Sequence, residues 1–545
     1  MNRAAIVNIA GHLPEMARRQ PDTPAIIFPR KHRRLTFREL DSLSDRIAYG
    51  LVACGIGRGV RTVLMVSPGP EFFALTFALF KVGAVPVFID PGLGIGNLKK
   101  CLAEAEPYAF IGIPTAHVAR LLFGWGKGTL RTFVTVGRRL FWEGTTLANL
   151  IEKQPLLSFP LAPTERDDVA AILFTSGSTG TPKGAVYSHG NFAAQVEALR
   201  HVYNIEPGEI DLPTFPLFAL FAPALGMTAV IPEMDFTRPG SVNPRKILTA
   251  IEDYGVTTMF GSPALINRVG RYGAEHGKRL LSLQRVISAG APVPAAVLER
   301  FMGMLNQGAE IFTPYGATEA LPVCSIGSNE ILGKTRRITD AGGGICLGRP
   351  VDGVRLEIIE ISEEPIPVWH DSLRVPSGKI GEIVVQGEQV TQSYYNRPAA
   401  DRLAKIADQA SGRLFHRMGD LGYKDDEGRI WFCGRKSHRV AASDETLFTI
   451  PCEAVFNTHP GVFRTALVGV GEPGRQLPIL CVELEKGAKV DRAKVRLELL
   501  AIGSAHAHTH GITTILFHPA FPVDIRHNAK IFREKLAIWA ARRLS

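Results

Sequence analysis

Ten consecutive residues, Thr175-Ser-Gly-Ser-Thr-Gly-Thr-Pro-Lys-Gly184, carry the densest chemical signal in this chain of 545 residues. Gly177, Gly180 and Gly184 leave backbone N–H groups open to a ligand, Thr175, Ser176, Ser178 and Thr179 add hydroxyls, and Lys183 adds a positive charge. Such donors on a bare backbone can surround phosphate oxygens. The segment is not a P-loop, which needs Gly-Lys-Ser/Thr opening a helix, because Lys183 stands between Pro182 and Gly184. Two other groupings are weaker. Gly92-Leu-Gly-Ile-Gly96 lacks the Gly-x-Gly-x-x-Gly spacing of dinucleotide loops and follows Pro91, so it reads as a turn. His506, His508 and His510 alternate, which fits either a metal site on one strand face or a solvated polar loop.

A phosphate cradle needs a rigid strand behind it, and the run AAILF just before Thr175 supplies one. Strand-like runs alternate with helical patterns through the first two thirds: Arg61 to Val66, the helix-like PEFFALTFALFKVG, then AVPVFID, TAVIP, TTMFG and RVISAG. This rhythm predicts parallel sheets covered by helices. From about Cys346, the runs GVRLEIIEI, GEIVVQG and GRIWFCG predict short antiparallel strands in a small sheet or β-barrel. The tail after Gly434 has its own strands and helices, ending in REKLAIWAARRL, and predicts a compact α+β unit. The expected fold class is therefore α/β. A large N-terminal domain, 1–434, holds two parallel-type sheets with helices plus a small β-barrel, and a small α+β C-terminal domain occupies 435–545.

With 46% hydrophobic and 21% charged residues and no repeating period, the chain is neither disordered nor a solenoid. Its net charge of +10 suits an anionic ligand, an acidic membrane surface or nucleic acid. The segment 435–545 holds 16 Lys/Arg against 10 Asp/Glu, which supports a separate C-terminal module. No zinc-finger spacing or basic-aromatic strand motif supports nucleic acid as a partner. Seven cysteines lie far apart, never as Cys-x-x-Cys, so a disulfide framework and a zinc ribbon are not indicated and a reducing cytoplasm fits. The N-terminal segment is a poor signal peptide and reads as an amphipathic helix. Leu212 to Pro232 has 21 residues without a charge, but prolines at 213, 216, 223 and 232 break any spanning helix. That stretch predicts buried, irregular structure, either plain core or the wall of an apolar pocket.

The Thr175–Gly184 loop resembles the signature loop of the acyl-adenylate-forming superfamily, which includes acyl-CoA synthetases, luciferases and the adenylation domains of peptide synthetases. Five further matches follow in that family's order. Tyr315-Gly-Ala-Thr-Glu319 resembles its Tyr-Gly-x-Thr-Glu motif, and Gly381-Glu-Ile-Val-Val-Gln-Gly387 its Gly-Glu strand. His416-Arg-Met-Gly-Asp-Leu-Gly422 is similar to its Thr-Gly-Asp motif, Gly434-Arg435 to its hinge, and DIRHNAKIFREKL, from Asp524 to Leu536, to its terminal motif. The resemblance implies ATP and Mg²⁺ as cofactors. Glu319 is a hard oxygen ligand suited to Mg²⁺, with Thr318 and Thr175 as hydroxyl partners. Asp420 can accept from ribose hydroxyls while Arg435 donates to the same sugar. Gly290, Ala291, Pro292, Tyr315 and Gly316 would line a flat adenine slot. Lys530 would swing in with a mobile tail domain and bridge the carboxylate and the α-phosphate as pyrophosphate leaves. Ala529 stands where the family usually has glycine.

Two departures bear on the second half of the reaction. His438 replaces the hinge aspartate of the acyl-CoA synthetases, and no glycine occurs between Arg435 and Gly461, so a thiol tunnel built on close backbone approach lacks its usual material. Ala219, between Phe218 and Phe221, stands where relatives carry His or a bulky aromatic, which leaves room for a branched acid. Long stretches also resemble the olefin β-lactone synthetases of bacterial long-chain hydrocarbon biosynthesis. That resemblance implies activation of a 2-alkyl-3-hydroxyalkanoic acid, ring closure by its own hydroxyl, a hydrophobic hydroxy acid as partner and assembly with a β-lactone decarboxylase. It also implies a cytoplasmic enzyme, with peripheral membrane contact left open and no integral membrane segment. The competing expectation is a long-chain fatty acyl-CoA synthetase or fatty acyl-AMP ligase with an external acceptor.

Overall fold

The computed structural model describes residues 7–175, 182–485, 487, 491–523 and 531–544. Among these, one sheet of eight strands places Ser393–Tyr394, Lys183–Ser188, Val169–Thr175, Val85–Ile89, Arg61–Met65, Ala109–Gly112, Thr132–Thr135 and Thr145–Thr146 side by side. Pairing is parallel from Val169–Thr175 to Thr145–Thr146, and Lys183–Ser188 returns antiparallel along Val169–Thr175. Val85–Ile89 is buried at every position, as an apolar run between two helical layers must be. The helix Pro70–Lys81 is apolar all round, opens on Pro70 and buries Phe72, Phe73, Phe77 and Phe80 in the largest core cluster. These phenylalanines are core. Lys81 is buried with them because Asp41 (2.6 Å) and Asp45 (2.5 Å) of the helix Phe37–Ala53 neutralise it.

The second sheet has 14 strands among the described residues. Its parallel part runs Pro24–Phe28, Thr228–Val230, Ile210–Pro213, Thr258–Phe260, Arg285–Ile287 and Glu310–Ala317. The antiparallel part follows through Ala320–Gly327, Ile345–Pro350, Ile430–Arg435, Arg413–Lys424, Gly381–Gln386 and Arg355–Ile359. The expected small barrel is therefore not closed. Cys324 and Ser325 pair with Pro350 and Arg349, so the antiparallel strands extend the parallel sheet instead of curling onto themselves.

Beyond Arg435, three strands, Val462–Val470, Leu477–Leu484 and Thr514–Phe517, form a small sheet. Leu467, Leu480, Val482 and Leu499 are in its core, the last from the helix Arg492–Ser504. His506, His508 and His510 do not share a strand face, contrary to one of the two expectations. They lie in turns after that helix, where the Thr509 hydroxyl donates to the Gly503 carbonyl at 2.7 Å. Among the described residues no group of three or more His, Cys, Asp or Glu side chains is placed to hold a metal. The charge-free stretch after Asp211 is broken as expected into a strand end, the turn Phe218–Leu220, the helix Phe221–Leu225 and the strand Thr228–Val230. No described helix is long and apolar enough to cross a membrane. All seven cysteines are free thiols.

Candidate active site

The hairpin of Glu310–Ala317 and Ala320–Gly327 carries Thr318 and Glu319 at its tip. The turn is tight: a Cβ on Gly316 would lie 2.6 Å from the Ala320 carbonyl oxygen, so only glycine fits. Thr391 fixes the tip from below, its N–H and hydroxyl donating to the Glu319 carbonyl at 2.8 and 3.2 Å. The Tyr187 hydroxyl donates to the Thr318 carbonyl. The Glu319 carboxylate accepts from the Tyr394 hydroxyl through Oε1 at 2.7 Å. Lys183 Nζ lies 5.0 Å from the centre of the same tyrosine ring. Tyr394 thus ties the cation at the end of the glycine-rich loop to the carboxylate on the opposite sheet, and it does so from an edge strand whose Tyr394 pairs with Ala185.

The other face of the hairpin holds Tyr315. Its hydroxyl donates to Asp420 Oδ2 at 2.6 Å, and Arg435 forms an ion pair with the same carboxylate, its Nε 3.1 Å from Oδ1. Sheet register explains the second contact, since Asp420 and Arg435 are directly opposite one another. Arg435 Nη1 also donates to the Met418 carbonyl at 3.2 Å. Burial and the Asp420 charge push the Tyr315 hydroxyl well above its ordinary value, so it is a donor at every physiological pH. The Asp420 charge likewise raises Arg435. Ser288 N–H donates to the Phe312 carbonyl at 2.9 Å, which brings the following Gly290-Ala291-Pro292 turn beside the Tyr315 strand. Gly290 has φ +97°, a conformation open to glycine.

Two strands from the Tyr315 strand, Phe260 meets Phe218 edge-on, and Phe218 meets Phe215 likewise, with ring centroids 4.6 and 5.1 Å apart. Ala219 is fully buried and Phe221 half-buried against the same core as Phe312. Ser176, Gly177, Ser178, Thr179, Gly180 and Lys530 lie outside the described residues. The structure does describe what flanks them. Thr175 pairs with Lys183 at the base of the loop. After Lys530, Arg533 grips Glu453 with two bonds of 2.5 and 2.9 Å and anchors the terminal helix Arg533–Leu544. His438 Nε2 bonds Glu534 Oε1 at 3.3 Å; burial and Arg533 lower its pKa to about 4, so the ring is neutral.

Three residues near the site, Tyr187, Tyr394 and Lys405, lie outside every sequence motif, and a fourth, His416, opens one without a role assigned to it. Tyr187 and Tyr394 bond the Thr318–Glu319 tip as described. Lys405 is buried, donates to the Thr391 carbonyl and sits 5.8 Å from the Tyr394 ring centre, and burial lowers its pKa to about 8. His416 pairs with it across the strands, and burial followed by the Lys405 charge drives the imidazole well below its usual value. The Tyr394-Tyr395 pair soon after the Gly-Glu strand was the available signal.

A family model described as AMP-binding enzyme matches residues 13–395. The chain is 52% identical to the olefin beta-lactone synthetase of Xanthomonas campestris pv. campestris, over 98% of each protein. It is 51% identical to the olefin beta-lactone synthetase of Stenotrophomonas maltophilia, over 100% of this chain and 99% of the other. Among solved structures, ATP-bound MatB from Rhodopseudomonas palustris superposes with a TM-score of 0.80 at 21% identity, covering 99% of this chain and 100% of that one. Amide bond synthetase McbA from Marinactinospora thermotolerans gives 0.79 at 22% identity, covering 97% and 99%. At such identities the two likenesses concern the fold.

Proposed function

This chain belongs to the AMP-binding enzyme family, and from that premise we propose that it converts a 2-alkyl-3-hydroxyalkanoic acid and ATP into a β-lactone, AMP and pyrophosphate. The observation that carries the product assignment is half-identity, over essentially full length, to two synthetases of that name. The geometry supports the first step. Asp420 and Arg435 suit the ribose, the Tyr315 strand and the Gly290 turn suit adenine, and Lys183 with the glycine-rich loop suits the phosphates. Glu319 fits Mg²⁺: it is a half-buried carboxylate oriented by Tyr394, and it offers the hard oxygen that ion takes. Mg²⁺, when bound, would neutralise phosphate charge. Lys530 is assigned to the carboxylate and α-phosphate, where its charge stabilises the transition state.

In the first step a carboxylate oxygen attacks the α-phosphorus and pyrophosphate leaves. In the second, the 3-hydroxyl oxygen attacks the acyl carbonyl, AMP leaves with the former carboxylate oxygen, and the hydroxyl proton is released. An internal nucleophile needs no acceptor site. That agrees with a hinge segment free of glycine, in which His438 is held by Glu534. The strained lactone is suited to a decarboxylating enzyme as the next consumer. The test is incubation with ATP, Mg²⁺ and the hydroxy acid in the absence of CoA. Lactone and AMP in equal amounts are expected; a product that forms only when CoA is added would replace this assignment with an acyl-CoA ligase.

A further inference from the structure

Far from the site, at the edge of the eight-stranded sheet, the helix Pro114–Phe123 and the loop 136–144 pack together. His117 stacks on Trp142, with centroids 5.1 Å apart and planes at 9°, and Trp142 Nε1 donates to the Thr135 hydroxyl at 2.9 Å. With Trp142 turned inward, its neighbour Phe141 is turned outward and is 80% exposed. Leu122, on the next turn of the helix from His117, is 73% exposed, and Leu121 and Leu140 are also exposed. Large apolar side chains this exposed, on two elements that pack together, mark this edge of the sheet as a contact surface.

Charge identifies the partner. Residues 114–142 contain five Lys/Arg, of which Arg120 is buried against Phe133 and four are left for the surface, and no Asp/Glu, with Glu143 the first acid after them. Arg139 donates to the Gly144 carbonyl at 2.7 Å and Arg131 to the Gly128 carbonyl at 2.8 Å, so both spend their hydrogen bonds on backbone and keep their positive charge. An apolar tip inside a basic rim matches an anionic bilayer, where the apolar side chains enter the headgroup boundary and the cations meet the lipid phosphates. We infer that Leu122, Leu140 and Phe141, rimmed by Arg138 and Arg139, form a surface that docks the enzyme on anionic membranes. A doubly alkylated acid would be drawn from such a bilayer; that clause alone rests on the proposed function.

The test is flotation of the full chain, without substrate, on vesicles of phosphatidylcholine with about 30 mol% phosphatidylserine. The wild type should float, and should do so roughly tenfold less on phosphatidylcholine alone or at high salt. Leu122→Asp with Phe141→Asp should lower binding at least about tenfold, and Arg138→Gln with Arg139→Gln about fivefold per charge. ATP–pyrophosphate exchange with a water-soluble acid should persist in all variants and certify the fold. Wild-type protein that stays at the bottom of the gradient, or apolar variants that float as well as wild type, would overturn the inference. So would a dimer that Phe141→Asp converts to monomer, which would give the face to a second copy. Flotation without lactone formation would instead overturn the proposed reaction and leave this surface standing.

Discussion

Replacing Tyr394 by Phe removes one hydroxyl and leaves the ring beside Lys183, so it isolates the bond that orients Glu319. A hydrogen bond to a charged group contributes about 1.5–3 kcal/mol, and kcat/KM for ATP is expected to fall roughly 10- to 100-fold, with the fall relieved by excess Mg²⁺. Unchanged kinetics would show that Glu319 needs no such orientation. Lys530→Ala should abolish adenylation while ATP binding, followed by calorimetry, stays largely intact; unchanged turnover would remove that lysine from the chemistry. Lys405 makes a pH prediction. Its folded pKa is about 8 against an ordinary 10.5, so between those values the unfolded chain holds a proton that the folded chain has released. Folding then gains stability as pH rises through that window, by about 3 kcal/mol in all. The unfolding free energy of wild type relative to Lys405→Met should improve from pH 8 upward and stay level below it; a level difference throughout would contradict the lowered pKa of this lysine.

Gly434 governs how the strand Ile430–Arg435 meets the helix Thr449–Phe456. It has φ +122°, and a Cβ there would collide with Thr449 Oγ1. Gly434→Ala should therefore cost about 1–3 kcal/mol of stability and, if the tail pivots here as proposed, slow turnover more than it weakens ATP binding. Equal effects on kcat and KM would argue against a hinge role. At this scale the strands and helices were legible, because apolar runs such as AVPVFID and AAILF have no surface-facing alternative. The barrel was not. Short antiparallel strands look the same in sequence whether a sheet closes or continues, and the deciding contact, Cys324 opposite Pro350, is long-range pairing that no local pattern encodes. The His506–His510 alternation left two readings open for a related reason: period two is also produced by a run of turns, which is where the structure places these residues.

Across the whole molecule, the proposed adenylate site lies at the seam between two sheets, with Tyr394 and Lys183 from one and Glu319, Tyr315, Asp420 and Arg435 from the other. Motif residues were legible because each needs a particular side chain or a bare backbone. Tyr187, Tyr394, Lys405 and His416 were not, since their roles come from burial and from partners more than ten residues away. Whether the acid's own hydroxyl displaces AMP from an acyl-adenylate is read directly by oxygen labelling. With oxygen-18 in the carboxylate, one labelled atom is expected in AMP and one in the lactone carbonyl. With the label in the 3-hydroxyl instead, it should stay in the lactone ring and AMP should be unlabelled. AMP that carries the hydroxyl label, or a lactone whose carboxylate oxygens are both retained while pyrophosphate release continues, would contradict displacement of AMP by the acid's own hydroxyl.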